Sequence, residues 1–250
     1  MTRFTKTAII AAYGLLTFLL ALSIAWILLA RVDFLYGVWH DYAGIKEGIE
    51  RYGPQNRYRS GFAATSREQR VKLFSAINSA VHNSGDGLDR ITYETATSDG
   101  RQLLLREPEI VHLRDVANLI DKLFYVMVIA FIGWPLGTYF MCRSQMGIPS
   151  GKQQIGGLFA LLAVVIVLLL IFGAENVFNQ LHVWIFPAGH QWFFYYQDSL
   201  MSTLMLAPTL FAWIAVALGG VGIFIFIALH LFAKKLCHGV LLPLSRRRNK

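Results

Sequence analysis

The chain has 250 residues, 55% of them hydrophobic, and its mean hydropathy of +0.48 is too high for an ordinary soluble domain. The formal net charge is +8. Composition therefore places the chain among membrane proteins, and membrane topology and anionic lipid explain the positive charge better than nucleic acid does.

Four uncharged runs are long enough to cross a bilayer, which takes about 20 apolar residues at about 1.5 Å each. They are residues 8–30, 123–141, 155–174 and 199–233. The first is longer than the apolar core of a cleavable signal peptide, about 7–15 residues, and no A-x-A site follows, so we expect a retained anchor. Pro208 divides the fourth run, and the last crossing is predicted to begin near it.

These runs predict an α-helical integral membrane protein with four transmembrane helices and a small α+β extracytoplasmic domain between the first two. The predicted segments are a cytoplasmic N-terminus (1–7), a first span (8–30), the extracytoplasmic domain (31–119), a second span (120–141), a cytoplasmic loop (142–154), a third span (155–174), an extracytoplasmic aromatic interfacial loop (175–204), a fourth span (205–233) and a basic cytoplasmic tail (234–250).

The distribution of charge predicts the orientation. Ten basic and no acidic residues lie outside the spans on the side of both termini: Arg3, Lys6, Arg143, Lys152, Lys234, Lys235, Arg246, Arg247, Arg248 and Lys250. By the positive-inside rule this side is cytoplasmic. Cys142 and Cys237 fall on that side as well, so we expect two reduced thiols and no disulfide.

The predicted extracytoplasmic domain opens with an aromatic stretch, residues 35–62, that reads as irregular. A helix should follow over residues 66–81, with Ser66 or Thr65 as its N-cap, because apolar residues recur at helical spacing. ITYET and QLLLR flank TSDG, which predicts a β-hairpin with Asp99-Gly100 at its turn. Pro108 fits the first turn of a helix that runs on into the second span.

Two histidines stand just outside long apolar runs. His112 lies in EIVHLRDV before the second span, and His182 lies a few residues after the third. If both segments emerge on the same side, the imidazoles can share one site at the membrane surface and move protons there. Asp115 and Glu109 are each one helical turn from His112, where a carboxylate can orient the ring or raise its pKa.

Ordinary structural roles are the alternative for each of these residues. His112 and Asp115 are also what a solvent-exposed helix face with no catalytic role would carry. This alternative is stronger still for Glu109. His182 fits an interfacial histidine bonded to a carbonyl, and His190 an ordinary loop position. The aromatic residues between His182 and Tyr196, Trp192 among them, fit an interfacial belt, and Asp198 fits a helix cap.

Other classes of site find less support. The chain has no GxSxG, no phosphate-binding glycine loop and no HExxH. A zinc site from His112, Asp115 and His182 has suitable ligand types but no recognised spacing. A transporter would carry ionisable residues within its spans, and His230, at the inner end of the last, is the exception here. We therefore predict neither a metal nor a cofactor.

At the two histidine segments the chain resembles the bacterial lipoprotein intramolecular transacylase family, Lit. One motif, E-x-x-H-x-x-D-V, appears as Glu109, His112, Asp115 and Val116. The other, F-x-x-x-H-x-x-x-F followed by W-x-F, appears as Phe178, His182, Phe186, Trp192 and Phe194, with Asp198, Leu200 and Pro208 beyond it. The chain departs from the family at Thr209, where an acidic residue is expected.

This resemblance implies four spans, both termini inside, and a bacterial inner-membrane enzyme whose active site lies at the extracytoplasmic face. It implies transfer of the sn-2 acyl chain of a diacylglyceryl lipoprotein to the α-amine of its N-terminal cysteine, giving a lyso-form lipoprotein, with His112 and His182 as acid and base. The partners are then the diacylated lipoprotein and membrane lipid, and not nucleic acid. A non-catalytic membrane chaperone or receptor, or a metal-dependent lipid hydrolase at the outer leaflet, is the alternative.

Overall fold

The computed structural model describes residues 2–95, 100–144 and 146–248. The main elements are α1 (Arg3–Ala30), α2 (Tyr36–Tyr42), α3 (Ile45–Tyr52), α4 (Arg67–Val81), β1 (Thr92–Glu94), β2 (Arg101–Leu103), α5 (Glu107–Arg143), α6 (Gly151–Phe172), α7 (Ala174–Ile185), α8 (Leu200–Met205) and α9 (Thr209–Arg248), with short 3-10 turns between some of them. The fold is thus mostly helical with one small sheet.

Among the described residues, four helices are long and apolar enough to cross a membrane, which confirms the predicted number. They are α1, α5, α6 and the Thr209–Gly239 part of α9. The last begins directly after Pro208, as predicted. The segment 234–250 was predicted as a basic tail, and α9 continues through it to Arg248.

The chain divides into two compact units. Residues 1–27, 125–178 and 218–250 form one, which we call the spanning unit, and residues 28–124 and 179–217 form the other, which we call the site unit. Each of the four candidate spans has most of its residues in the spanning unit.

Small and polar residues join α1 to α5 within the spanning unit. Tyr13 and Thr138 share a buried hydrogen bond of 3.0 Å, and Trp134 donates its indole N–H to the Thr17 hydroxyl at 3.2 Å. A Cβ on Gly133 would already touch Leu16 at 3.4 Å, so glycine lets the two helices approach closely. Close backbones and interhelical hydrogen bonds are what hold helices together where lipid removes the hydrophobic drive.

The two cysteines correct a prediction. Cys142, near the end of α5, and Cys237, on α9, form a disulfide with their Cα atoms 5.1 Å apart, so the expectation of two reduced thiols is wrong for this structure. The two residues are 95 positions apart in sequence. Their approach depends on how α5 packs against α9, which spacing alone does not reveal.

The site unit has its own apolar core, to which α4 contributes as predicted. Ser66 is the N-cap and accepts a hydrogen bond from the Gln69 N–H. The helix buries the residues on which its prediction rested: Leu73, Phe74, Ile77 and Val81. Tyr36 stacks on Phe74 with ring centroids 4.3 Å apart, which joins α2 to α4.

The stretch 35–62 is more ordered than predicted. It contains α2 and α3, and the left-handed Gly44 (φ 78°) turns the chain between them. The short α3 buries Ile45, Gly48 and Ile49 along one face. Helices of seven or eight residues are too short to show a clear apolar period, and packing rather than propensity stabilises them.

The predicted hairpin is present. β1 pairs antiparallel with β2 in the register Thr92 with Leu103 and Glu94 with Arg101. Of the predicted turn, Asp99 lies outside the described residues and Gly100 has a φ of 63°. Pro108 lies in the first turn of α5, as predicted, and the helix then continues without a break to Arg143.

Residues 175–204 are not all loop, contrary to the prediction. Gly173 has a φ of 79° and ends α6, and α7 follows at once and carries His182. The later α8 begins after Ser199, whose hydroxyl accepts from the Ser202 N–H at 2.9 Å. Only the stretch between α7 and α8 is irregular, as Pro187 and Gly189 indicated.

Candidate active site

Both candidate histidines are in the site unit. His112 lies on the first part of α5 and is 9% exposed, and His182 lies on α7 and is half-buried. Their imidazole rings are 6.4 Å apart between centroids and inclined by 30°. The two rings are therefore neighbours, as expected from the positions of both segments beside apolar runs. Their separation leaves room for a small group between them, although not for direct hydrogen bonding in this arrangement.

Aromatic side chains enclose the two imidazoles. Phe186 touches both, at 5.1 Å from His112 and 5.2 Å from His182 between ring centroids. Trp192 lies 4.9 Å from His182, and Phe194 lies 6.0 Å from His112. Trp192 thus lines the candidate site, where the sequence alone allowed an interfacial belt. These walls limit the access of water to the two rings.

Burial determines the electrostatic state of His112. The charged start of α5, from Glu107 to Lys122, precedes the uncharged run 123–141, so His112 lies outside the membrane-spanning part. Burial and the nearby His182 lower the pKa of His112, the Asp115 carboxylate partly opposes them, and the net result is a pKa of about 4. Asp115 raises the pKa of His112, as its spacing allowed, but burial has the larger effect and the net shift is downward. His112 is neutral at neutral pH.

The Nδ1 atom of His112 is buried and has no hydrogen-bond partner among the described residues. A buried imidazole nitrogen without a partner is costly in a finished core. Nδ1 of His112 therefore has hydrogen-bonding capacity that the described residues leave unused.

Asp115 has a partner that was not predicted. Its Oδ2 lies 2.7 Å from Nδ1 of His190, which comes from the irregular stretch after α7, 75 positions further along the chain. His190, which fitted an ordinary loop position, thus holds that stretch to α5. Asp115 acts on His112 through its charge, one turn away, rather than as the ring's hydrogen-bond acceptor.

Glu109 is fully buried and joins the start of α5 to the start of α8. One carboxylate oxygen accepts from the Ser199 hydroxyl at 2.6 Å and from the Met201 N–H at 3.2 Å, and the other accepts from the Arg106 N–H at 2.7 Å. Burial raises the pKa of Glu109, and these hydrogen bonds oppose the rise. A solvated helix face is therefore the wrong description of Glu109, which fixes α8 to α5 one turn before His112.

Asp198 pairs away from the histidines. Its carboxylate accepts from Arg57 at 3.1 Å, and the Arg57 N–H donates to the Gln197 carbonyl at 2.9 Å. Ser199, rather than Asp198, caps α8. Asp198 therefore secures the end of the irregular stretch and is not in contact with the imidazoles through any of these bonds.

Within the described ranges, no three His, Cys, Asp or Glu side chains are placed to hold a metal ion together. His112, Asp115 and His182 are thus not grouped as such a set in the described structure. Sequence reasoning missed His190 and Ser199 as parts of the site. The motif spacing carried no signal for either, because their partners are 75 and 90 positions away.

The fold and site together define a multi-span membrane protein with a paired-histidine site in a separate compact unit. The model of the family "Lipoprotein intramolecular transacylase Lit" matches residues 9–212 of this chain. The chain belongs to the Lit family.

Solved structures share the fold of this chain. The chain is similar to the structure of Lit from Bacillus cereus, with a TM-score of 0.58, 15% identity and coverage of 99% of each chain. A second structure of that protein, with a histidine-to-arginine mutation, has a TM-score of 0.57 and 17% identity and covers 98% of this chain and 93% of that one. No curated protein matches the sequence.

Proposed function

We propose that this chain transfers the sn-2 acyl chain of a diacylglyceryl lipoprotein to the α-amine of the same molecule's N-terminal cysteine. The observation that carries the proposal is the placement of His112 and His182, with ring centroids 6.4 Å apart, inside an aromatic enclosure in a chain of the Lit family.

The reaction needs two proton transfers and no protein nucleophile. The α-amine nitrogen attacks the sn-2 ester carbon, a C–N bond forms and the bond to the glyceryl oxygen breaks. The nitrogen loses a proton and the leaving oxygen gains one. An imidazole and an imidazolium can perform these two steps. Ester and amine belong to one substrate molecule, which supplies proximity.

The environments of the two rings support an assignment of roles. A general base must start neutral, and the depressed pKa of His112, about 4, keeps it so. His182 is more exposed than His112, and we assign it the role of the acid that gives a proton to the leaving oxygen.

The aromatic walls favour transfer over hydrolysis. Phe186 and Phe194 cover His112, so a water molecule that would attack the ester is disfavoured there. The substrate's own amine arrives with the ester and does not depend on solvent access. This feature distinguishes the proposal from a lipid hydrolase.

A cell-based experiment tests the proposal. The chain is expressed in bacteria that lack other N-acylating enzymes, and lipopeptides are analysed by mass spectrometry. We expect N-acyl, lyso-form lipopeptides. Diacylglyceryl-cysteine with a free amine, despite folded protein in the membrane, would contradict the proposal and favour a chaperone or receptor.

The Asp115→Asn variant should move the acid limb of the rate profile to lower pH. The carboxylate raises the pKa of His112, so its loss lowers that pKa further, and the neutral base persists to lower pH. Loss of an acid–base residue is expected to slow the reaction about 100-fold, and the rate of Asp115→Asn at neutral pH should fall by less than this. The measurement is kcat/KM against pH. Asp198→Asn, which removes a carboxylate bonded to Arg57 instead, should leave the limb unchanged.

The proposed orientation has the site unit outside the cell. In a variant without native cysteines, Asn83→Cys and Ala188→Cys should react with an impermeant thiol reagent applied from outside, and Lys152→Cys should not. All three positions are exposed, and Ala188 avoids the strained φ of 91° at Gly189. The charge asymmetry predicts this pattern. Labelling of Lys152→Cys alone would place His112 and His182 in the cytoplasm.

A further inference from the structure

The spanning unit contains two buried polar side chains that the proposed reaction does not use. Gln154, on α6, is 4% exposed, and His230, on α9, is 7% exposed. Both amide atoms of Gln154 and both ring nitrogens of His230 are buried without a hydrogen-bond partner in the part of the chain that the structure describes. Gln154 stands just before the uncharged run 155–174, and His230 lies within the run 199–233. A polar group buried between such helices needs an internal partner.

The two side chains share one interface between helices. Leu158 and Phe226 pack with Ala21 in a small apolar cluster. Gln154 lies one turn from Leu158, and His230 lies one turn from Phe226. Nε2 of His230 lies 3.7 Å from the position of a Cβ on Gly151, one turn before Gln154, so His230 packs against the first turn of α6.

A glycine on α1 also leaves the space that the Gln154 side chain occupies. A Cβ on Gly14, in α1, would lie 3.2 Å from Oε1 of Gln154, which is tighter than most real contacts. Gly14 and Gly151 therefore admit the two polar side chains between α1, α6 and α9. The two side chains offer complementary groups, since the amide donates and accepts and a neutral imidazole does both.

We propose that Gln154 and His230 bind internal water at this interface, and that the hydrated contact fastens α6 to α1 and α9. A buried water typically makes about three hydrogen bonds to polar groups that would otherwise lack partners, and these side chains provide four such atoms. A small neutral protic molecule fits this set, because the amide and a neutral imidazole both donate and accept and neither carries a fixed charge.

The hydrated contact contributes more to holding α6 in the helix bundle than to holding its neighbours. Gln154 and Leu158 are the buried residues of this 22-residue helix among those that the structure describes. Its later apolar residues, such as Leu170 at 79% exposure, pack against little protein. Interhelical polar bonds are one of the forces that associate helices in lipid. The hydrated pair thus anchors the helix that leads directly into α7.

A double-mutant cycle in detergent-purified protein tests this site. If water bridges the pair, Gln154→Leu and His230→Leu each strand the partner's polar atoms and should lower Tm by about 3–8 °C. The double variant should lose less than the sum of the two shifts. His238→Leu, an exposed histidine on the same helix, is the matched control and should leave Tm unchanged.

The opposite result would overturn the proposal. If the polar atoms truly lack partners, each leucine removes an unsatisfied group, and both single variants should raise Tm. Additive shifts in the cycle would also contradict it.

A high-resolution crystal structure provides a direct check, with electron density expected for water within hydrogen-bond distance of both Gln154 and His230. A direct bond between the two side chains, or a dry interface, would contradict it. Neither measurement depends on the acyl-transfer activity.

Discussion

His112→Asn and His182→Asn are each expected to reduce acyl transfer by about 100- to 10,000-fold, the range for loss of a general acid or base. Asparagine keeps a polar side chain of similar size but cannot exchange a proton at neutral pH. The double variant should be no slower than the slower single variant, because residues that act as one unit show non-additive losses. Lipopeptide turnover by purified enzyme, followed by mass spectrometry, measures all three.

His238→Asn, in the spanning unit, is the matched control and should turn over normally. Thermal unfolding should show that the His112 and His182 variants remain folded, which separates loss of chemistry from loss of structure. Near-normal turnover of either single variant would remove that histidine from the mechanism. Multiplicative losses would mean that the two histidines act in separate steps.

Glu109→Ala should destabilise the site unit more than the loss of either histidine. The carboxylate accepts hydrogen bonds from Ser199, Met201 and Arg106 while fully buried. Its removal leaves these donors without an acceptor and opens space in the core, which we expect to cost about 3–5 kcal/mol. Transfer should fall with it, because the same bonds hold α8 to α5 beside His112. Thermal unfolding in detergent and the turnover assay measure the two effects.

Glu107→Ala removes an exposed carboxylate from the same first turn of α5 and is the matched control. It should change Tm by little more than the experimental error. Ser199→Ala should give an intermediate loss, since the Met201 and Arg106 bonds persist. If Glu109→Ala unfolds at the same temperature as Glu107→Ala, the Glu109 carboxylate does not stabilise the site unit as its contacts imply.

Patterns within one segment were the predictable part of this fold. Four apolar runs predicted four spans, helical spacing with Ser66 predicted α4, and Pro108 predicted the start of α5. Each of these depends on residues within a few turns of one another. The two histidines could be brought together from sequence because each adjoins a span, and alternation of the spans returns both segments to one side.

Contacts between distant segments were the unpredictable part. Asp115 meets His190 across 75 positions, and Cys142 meets Cys237 across 95. Which side chains meet depends on helix rotation and crossing, and these follow from packing across the whole unit. The pKa of His112 illustrates the consequence. Its spacing from Asp115 suggested a rise, whereas burial among Phe186 and Phe194, which spacing does not report, lowers it.

The most direct test uses a synthetic diacyl lipopeptide with a deuterated sn-2 chain, mixed with an unlabelled lipopeptide of different peptide mass. Purified enzyme converts the mixture, and mass spectrometry locates the label. We expect deuterium only on the α-amine of the peptide that carried it, with the glyceryl 2-hydroxyl free and no fatty acid released. Free deuterated fatty acid would indicate a hydrolase, and label on the second peptide would contradict transfer within one molecule.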